Sequence, residues 1–298
     1  MKTFLLSAIA AVLCSAFCVA QDKPEEYLRP YPEVWSVTEG LVAPESAYFD
    51  AASGFLFLSQ IGDGGGKAKD GDGWISKLTP DGKVVENVWV PGFNAPKGLR
   101  SHGNTLWVSD IDRIVAIDIE KGEISKEVVI PDAQFLNDLA TGEDGTVYVT
   151  DMVASKVYQY KDGQVSVFAE GDELQNPNGC LVDGEHLVLG GWGKGFNPED
   201  FTTQVGGQLL KVHRTTKKVT AFTPEPTGYL DGIEKDGHGG YYVTDWRNGK
   251  VFHINAKGES QVIMTFPQGA ADLAYLVDRH LLILPRMKEN TLTAFEVK

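Results

Sequence analysis

Side chains able to hold a cation or polarise a substrate recur at one position of a repeated pattern: Glu45, Lys97, Asn137, Asn178 and Asp231, with Ala271 in the sixth copy. They are the central residues of Pro44-Glu45-Ser46, Pro96-Lys97-Gly98, Leu136-Asn137-Asp138, Pro177-Asn178-Gly179, Leu230-Asp231-Gly232 and Ala270-Ala271-Asp272. One polar residue where a strand begins is ordinary turn chemistry. Five at equivalent repeat positions form a constellation, because a ring of repeats gathers such positions around one axis. Two carboxylates and two amides are oxygen donors suited to a hard cation such as Ca²⁺, Mg²⁺ or Mn²⁺. Zn²⁺ is less expected, since neither a Cys cluster nor a His pair belongs to this set. Lys97 has two readings. It can bind an anionic group of a substrate, or it can pair with Glu45 and neutralise the site without a metal.

The elements that must position these residues repeat with them. Each motif is followed, 13 to 15 residues later, by the polar end of a short β-rich run such as Leu56-Phe-Leu-Ser-Gln60, Leu106-Trp-Val-Ser-Asp110 or Tyr241-Tyr-Val-Thr-Asp245. A third strand comes next, then in most copies a hairpin turn such as Asp81-Gly82 or Asp162-Gly163, then a fourth strand. Six such copies predict an all-β, six-bladed β-propeller with four antiparallel strands per blade. The sixth copy runs out after its third strand, so residues 34–42 are expected to supply the missing outer strand and close the ring. The motif spacings of 52, 40, 41, 53 and 40 residues place long insertions at 61–73 in blade one and 192–207 in blade four. Both connections lie on the face where the motif residues sit, and both are expected to overhang that mouth.

Residues 1–20 carry Lys2, an apolar run and a small residue at Ala20, the pattern of a cleaved secretory signal. The chain is therefore expected to be exported, to a periplasm or outside the cell, with residues 21–298 forming a single propeller domain. Cleavage would remove Cys14 and Cys18 and leave Cys180 alone, so no internal disulfide is expected. The formal charge is −14, and −15 once Lys2 is lost, which disfavours nucleic acid as a partner. No other run approaches the ~18 apolar residues of a membrane span, so no membrane insertion is expected.

The chain resembles the SMP-30/gluconolactonase family, through Glu45-Ser46, Asn137-Asp138 before Gly145-Thr146-Val147-Tyr148, Asn178-Gly179, and Asp231-Gly232 leading to Asp245-Trp246. The resemblance covers essentially all of residues 21–298. It implies a six-bladed propeller with one divalent cation in the channel, Ca²⁺ first among Mg²⁺, Mn²⁺ and Zn²⁺, hydrolysing a small-molecule lactone or related ester. By motif match, Glu45, Asn178 and Asp231 are implied as metal ligands and Asn137 as a contact to substrate or metal. Asp231 is the candidate proton acceptor, and Lys97 a second substrate-binding residue. Family members acting on sugar lactones often carry Arg two residues before the Asn of the Asn-Asp pair, where this chain has Phe135. A more apolar ester or lactone, or loss of catalysis, follows from that departure.

Other motifs carry less. The run from Asp63 to Gly73 fails as an EF-hand loop, because counting from Asp70 puts Trp74 where an oxygen donor is needed. His186, His213, His238 and His253 face no nucleophile that spacing can identify. Asp110, Asp151 and Asp245 are expected to bind backbone between blades, and Trp192 and Trp246 to pack in the core or wall the pocket. The competing class is a non-catalytic propeller that binds a ligand or a protein partner. A quinone-dependent redox propeller ranks below both, for want of His and Arg at the mouth.

Overall fold

The second strand of each blade is buried along nearly its whole length, polar end included, because both of its faces are covered. In Phe55–Gln60, Thr105–Asp110 and Val147–Asp151 nearly every residue is buried, whereas outer strands such as Glu123–Val129 and Gln164–Glu170 are mostly exposed. This difference is the signature of blades packed face to face around an axis, with their outermost strands on the rim.

The computed structural model describes residues 27–297 and contains six four-stranded antiparallel sheets. Their innermost strands are Pro44–Asp50, Pro96–His102, Leu136–Thr141, Pro177–Asp183, Leu230–Lys235 and Ala274–Leu276. A separate hydrophobic core fills each space between neighbouring blades. Between blades one and two, for example, Phe57, Ile75 and Trp89 meet Leu99, Leu106 and Val115. The expected hairpin glycines take the backbone that only glycine adopts freely, with φ of 78° at Gly82 and 81° at Gly163.

The ring closes as expected, with a shorter strand. Glu33–Val37 pairs with Thr291–Glu296, from Glu33 opposite Phe295 to Val37 opposite Leu292, and completes blade six. Residues 38–42, predicted as part of that strand, instead form the turn that leads into blade one. Cys180 is free and buried, as expected of an inert thiol. Residues 1–20, expected to be a secretory signal, lie outside the described residues. No helix among the described residues is long and apolar enough to cross a membrane.

Candidate active site

The polar motif residues are aimed by a β-bulge repeated in five blades. Pro44 pairs with Gln60 and Ala47 with Leu58, so Glu45 and Ser46 together oppose the single residue Ser59. The same slip places Lys97-Gly98 opposite Ser109, Asn137-Asp138 opposite Thr150, Asn178-Gly179 opposite Gly190, and Asp231-Gly232 opposite Thr244. A bulge frees two side chains from the regular ladder and turns them. Hydroxyls from the second strand occupy the gap: Ser59 Oγ accepts from Ser46 N–H at 2.9 Å, and Thr244 Oγ1 from Gly232 N–H at 2.8 Å. Two of them also grip the next blade, Ser109 donating to the Asn137 carbonyl and Thr150 to the Asn178 carbonyl at 2.7 Å. The Ser or Thr before the last residue of the second strand, present in four blades, therefore holds its own bulge or the next blade. Gly232 keeps the blades close, since a Cβ there would lie 2.6 Å from Asp272 Cα.

The ring residues converge on the floor of one cavity. Glu45, Lys97, Asn137, Asn178 and Asp231 all line it, and all are buried. Ala271, in blade six, adds no donor. Glu45 Oε2, Asn137 Oδ1, Asn178 Oδ1 and Asp231 Oδ1 have no hydrogen-bond partner, nor does Asp138 Oδ1 beside them. Oxygens from Glu45, Asp138 and Asp231 lie within 4.8 Å of one another. Burial pushes the Glu45 carboxyl up to about 8, opposed by Lys97 and reinforced by Asp272. Burial also lifts Asp138 and Asp231 well above the usual carboxylate range, with nearby carboxylates adding to it. Partnerless oxygen donors crowded out of water fit a hard cation, which would offset both the desolvation and the mutual repulsion.

Lys97 does not settle this charge. Its ammonium donates to the Ala95 carbonyl at 2.9 Å and stands 4.6 Å from the Phe135 ring centroid. Among the described residues it makes no ion pair, so the alternative in which it pairs directly with Glu45 is not found. Burial pushes its pKa down to about 8, with Glu45, Asp110 and Asp138 pulling the other way.

Above the floor the walls are aromatic. Phe135, Met152 and Trp192 form a buried cluster that Phe201 and Trp246 extend, and all five line the cavity of about 330 Å³. Trp192 and Trp246 thus both pack and wall the pocket. Both long insertions reach the mouth, through Gly66 and Lys67 from blade one and Asp200 and Phe201 from blade four. The blade-four insertion carries a small ribbon of Gly193–Lys194 paired with Val205–Gly206. The insertions meet where Lys67 Nζ donates to the Pro198 carbonyl at 3.3 Å and lies 4.1 Å from the Phe201 centroid.

Two features were missed from sequence. Asp138 was seen only as a motif neighbour, although the bulge sends it to the same point as Glu45 and Asp231. Its signal was a carboxylate at a position that Gly98, Gly179 and Gly232 leave empty. Arg247, from blade five, also lines the cavity, far along the chain from Phe135. Asp110, Asp151 and Asp245 do bind backbone, but in loops of their own blade and not between blades; Asp245 accepts from Asn248 N–H at 2.9 Å. Asp110 accepts from Ala95 N–H at 2.8 Å and Asp151 from Gln134 N–H at 2.7 Å, each fixing the connection into its own blade.

No family model and no curated protein sequence matches this chain. Solved structures match it over most of its length. A gluconolactonase from Xanthomonas campestris has a TM-score of 0.62 at 16% identity, covering 89% of this chain and 87% of that one. A catalytically inactive virginiamycin B lyase from Staphylococcus aureus, with quinupristin, has a TM-score of 0.59 at 15% identity, covering 92% and 100%. A chain of a nidogen/laminin complex has a TM-score of 0.56 at 15% identity, covering 75% and 89%. At these identities the likeness carries the propeller fold alone. A lactonase, a lyase and a chain of an assembly share it, so chemistry must be argued from the site.

Proposed function

We propose that this chain is an exported, divalent-cation-dependent hydrolase of a lactone or related carboxylic ester, of the SMP-30/gluconolactonase type. The observation that carries the reading is the set of partnerless, buried oxygens of Glu45, Asn137, Asn178 and Asp231 on the floor of an aromatic-walled cavity. The fold shared with a gluconolactonase agrees with it. Glu45, Asn178 and Asp231 would hold the cation, Ca²⁺ first by donor type, with Asp138 near enough to share in its charge balance. A cation bound there would act as a Lewis acid, polarising the acyl carbonyl and lowering the pKa of water.

The chain's own residues do the rest. Asp231 takes a proton from the attacking water at Oδ1 as the new C–O bond forms. It returns that proton to the departing oxygen as the ester C–O bond breaks. Lys97, fixed by the Ala95 carbonyl, and the Asn137 amide donate to the oxygen on which negative charge develops. The aromatic walls hold the acyl body and exclude bulk water.

A panel of lactones and esters, assayed after chelation and again after adding back Ca²⁺, Mg²⁺, Mn²⁺ or Zn²⁺, tests the reading. Turnover should vanish with chelation and return with a cation. Asp231→Asn should lose ~10²-fold or more in kcat on the best substrate, the scale of a lost general base. Cation binding without turnover on any member of the panel would leave a ligand-binding propeller instead.

A further inference from the structure

The cavity has two electrically opposite ends, and the outer end is cationic. Acids outnumber bases by 41 to 27 in this chain, and surface cations readily find carboxylates, as Lys161 does with Asp144 and Lys235 with Asp183. Around the mouth Lys69 of the blade-one insertion pairs with Asp112, but three other cations break this pattern. Lys67 is held by the Pro198 carbonyl and the Phe201 ring. Arg247 donates to the main-chain carbonyl of Asp200 at 3.3 Å and lies 5.5 Å from the Tyr229 centroid. Lys288 donates to Gln268 Oε1 at 2.8 Å and lies 5.3 Å from the Trp246 centroid. The nearby Asp200 carboxylate is occupied by Thr202, which donates its hydroxyl at 2.7 Å and its N–H at 3.0 Å. Among the described residues none of these three cations makes an ion pair. Carbonyls and ring faces hold them in place, and only Arg247 is partly offset, by the Asp200 carboxylate close by.

We infer that the occupant of this cavity is an amphipathic anion, with an aromatic or aliphatic body among Phe135, Met152, Trp192, Phe201 and Trp246 and a carboxylate-like group at Lys67 and Arg247. As a statement about substrate class this rests on the hydrolase reading; as a statement about binding it stands alone. The orientation follows from charge. Without a cation, the carboxylates of Glu45, Asp138 and Asp231 repel an anion from the floor; with one bound there, the acyl carbonyl occupies that place. In either case the charged group sits outward and the uncharged acyl end inward. Lys67 comes from blade one and Arg247 from blade five, and both already touch the blade-four insertion. An anion between them ties three segments of the mouth together. A neutral polyol fits worse, because the walls offer it rings and thioethers where it needs hydrogen-bond partners. A volume of about 330 Å³ suits a small ligand of roughly two fused rings.

Two fluorescent probes with one aromatic body separate the terms without any turnover: anilinonaphthalene sulfonate and its uncharged counterpart N-phenylnaphthylamine. Titrated into the full chain, the sulfonate should bind about tenfold or more tightly than the neutral probe, and that preference should shrink between about 20 and about 500 mM salt. Lys67→Met/Arg247→Met should abolish the preference and leave the neutral probe's affinity within about twofold. Lys67→Glu/Arg247→Glu should reverse the preference, which keeps the test decisive if the first variant folds poorly. Lys121→Met, whose lysine pairs with Asp118 elsewhere, should change nothing. Equal affinities in the wild type, or a preference that survives both double variants, overturns the inference. Hydrolysis of neutral substrates with no anion preference would overturn this inference alone. An anion preference without hydrolysis of any ester or lactone would overturn the proposed activity alone.

Discussion

At the mouth end of the channel, Glu45, Asn137, Asn178 and Asp231 each keep a buried oxygen without a partner. Three residues further along the innermost strands, Arg100 reaches Glu234 at 3.2 Å and Asp272 at 3.6 Å. Ser46 Oγ donates to Asp272 at 2.5 Å, and Arg100 also donates to the Leu99 carbonyl at 2.7 Å. Both tiers bury charge where solvation is lost, and both leave a carboxylate oxygen open, Asp272 Oδ1 in the deeper one. Only in the deeper tier does a cation of the chain make ion pairs; Lys97 stands near Glu45 without one. A buried charge without compensation is too costly to leave standing. The deeper tier therefore reads as a structural plug, and the upper tier as a receptacle completed from outside the chain.

The largest expected effect tests the plug. Arg100→Met keeps most of the side-chain volume but strands the buried Asp272 and the half-buried Glu234, so urea denaturation should report a loss of about 3 kcal/mol, the lower end of what removing one partner of a buried pair costs. A loss below about 1 kcal/mol would mean that the two tiers do not differ in this way.

The next test acts on the receptacle. Glu45→Gln removes a carboxyl whose ionised form burial disfavours and no ion pair compensates, so the cation-free variant should melt at or above the wild-type temperature. Its affinity for Ca²⁺ should fall roughly tenfold or more, because ligand charge sets affinity for hard cations, and the Tm rise on adding Ca²⁺ should shrink with it. A variant destabilised without Ca²⁺ would show that Glu45 is already compensated within the chain.

The smallest effect uses Asp236 as a carboxylate with every need met. Burial alone would raise its pKa, but His253 at 2.9 Å and the N–H groups of His238 at 2.7 Å and Gly240 at 2.9 Å hold it below the usual aspartate value. A lowered native pKa stabilises the fold above the unfolded value and loses that contribution as pH falls through the native one. Asp236→Asn should therefore cost on the order of 1 kcal/mol near pH 7, and the difference should close as pH drops below about 4. A gap that persists in acid would assign the effect to shape, not charge.

The repeat was legible in the chain because each blade must bury both faces of its second strand. That need leaves runs such as Leu106-Trp-Val-Ser-Asp110 in fixed phase with Pro96-Lys97-Gly98. Equivalent phase was enough to place Glu45, Asn137, Asn178 and Asp231 around one axis before any distance was known. The bulge was not legible. It is a mismatch between two strands, and Ser59 or Thr150 looks like any strand residue until its hydroxyl is seen to fill the gap. Asp138 was overlooked for that reason, since three blades have glycine at its position. The rim was hidden by distance along the chain: Lys67 and Pro198 stand 131 residues apart.

Residue order alone thus determined the number of blades, the strand that closes them, and the donor types that face the channel, because periodic burial and repeat phase are properties of the chain. Only the folded molecule decided which of those donors remain without partners. Ser46 and Arg100 meet Asp272, nothing in the chain meets the open oxygens of Glu45 and Asp231, and the rim cations rest on carbonyls and rings. Compensation of a buried charge depends on where another blade places its donors to within an ångström or so, a quantity fixed by packing between blades and absent from any single repeat.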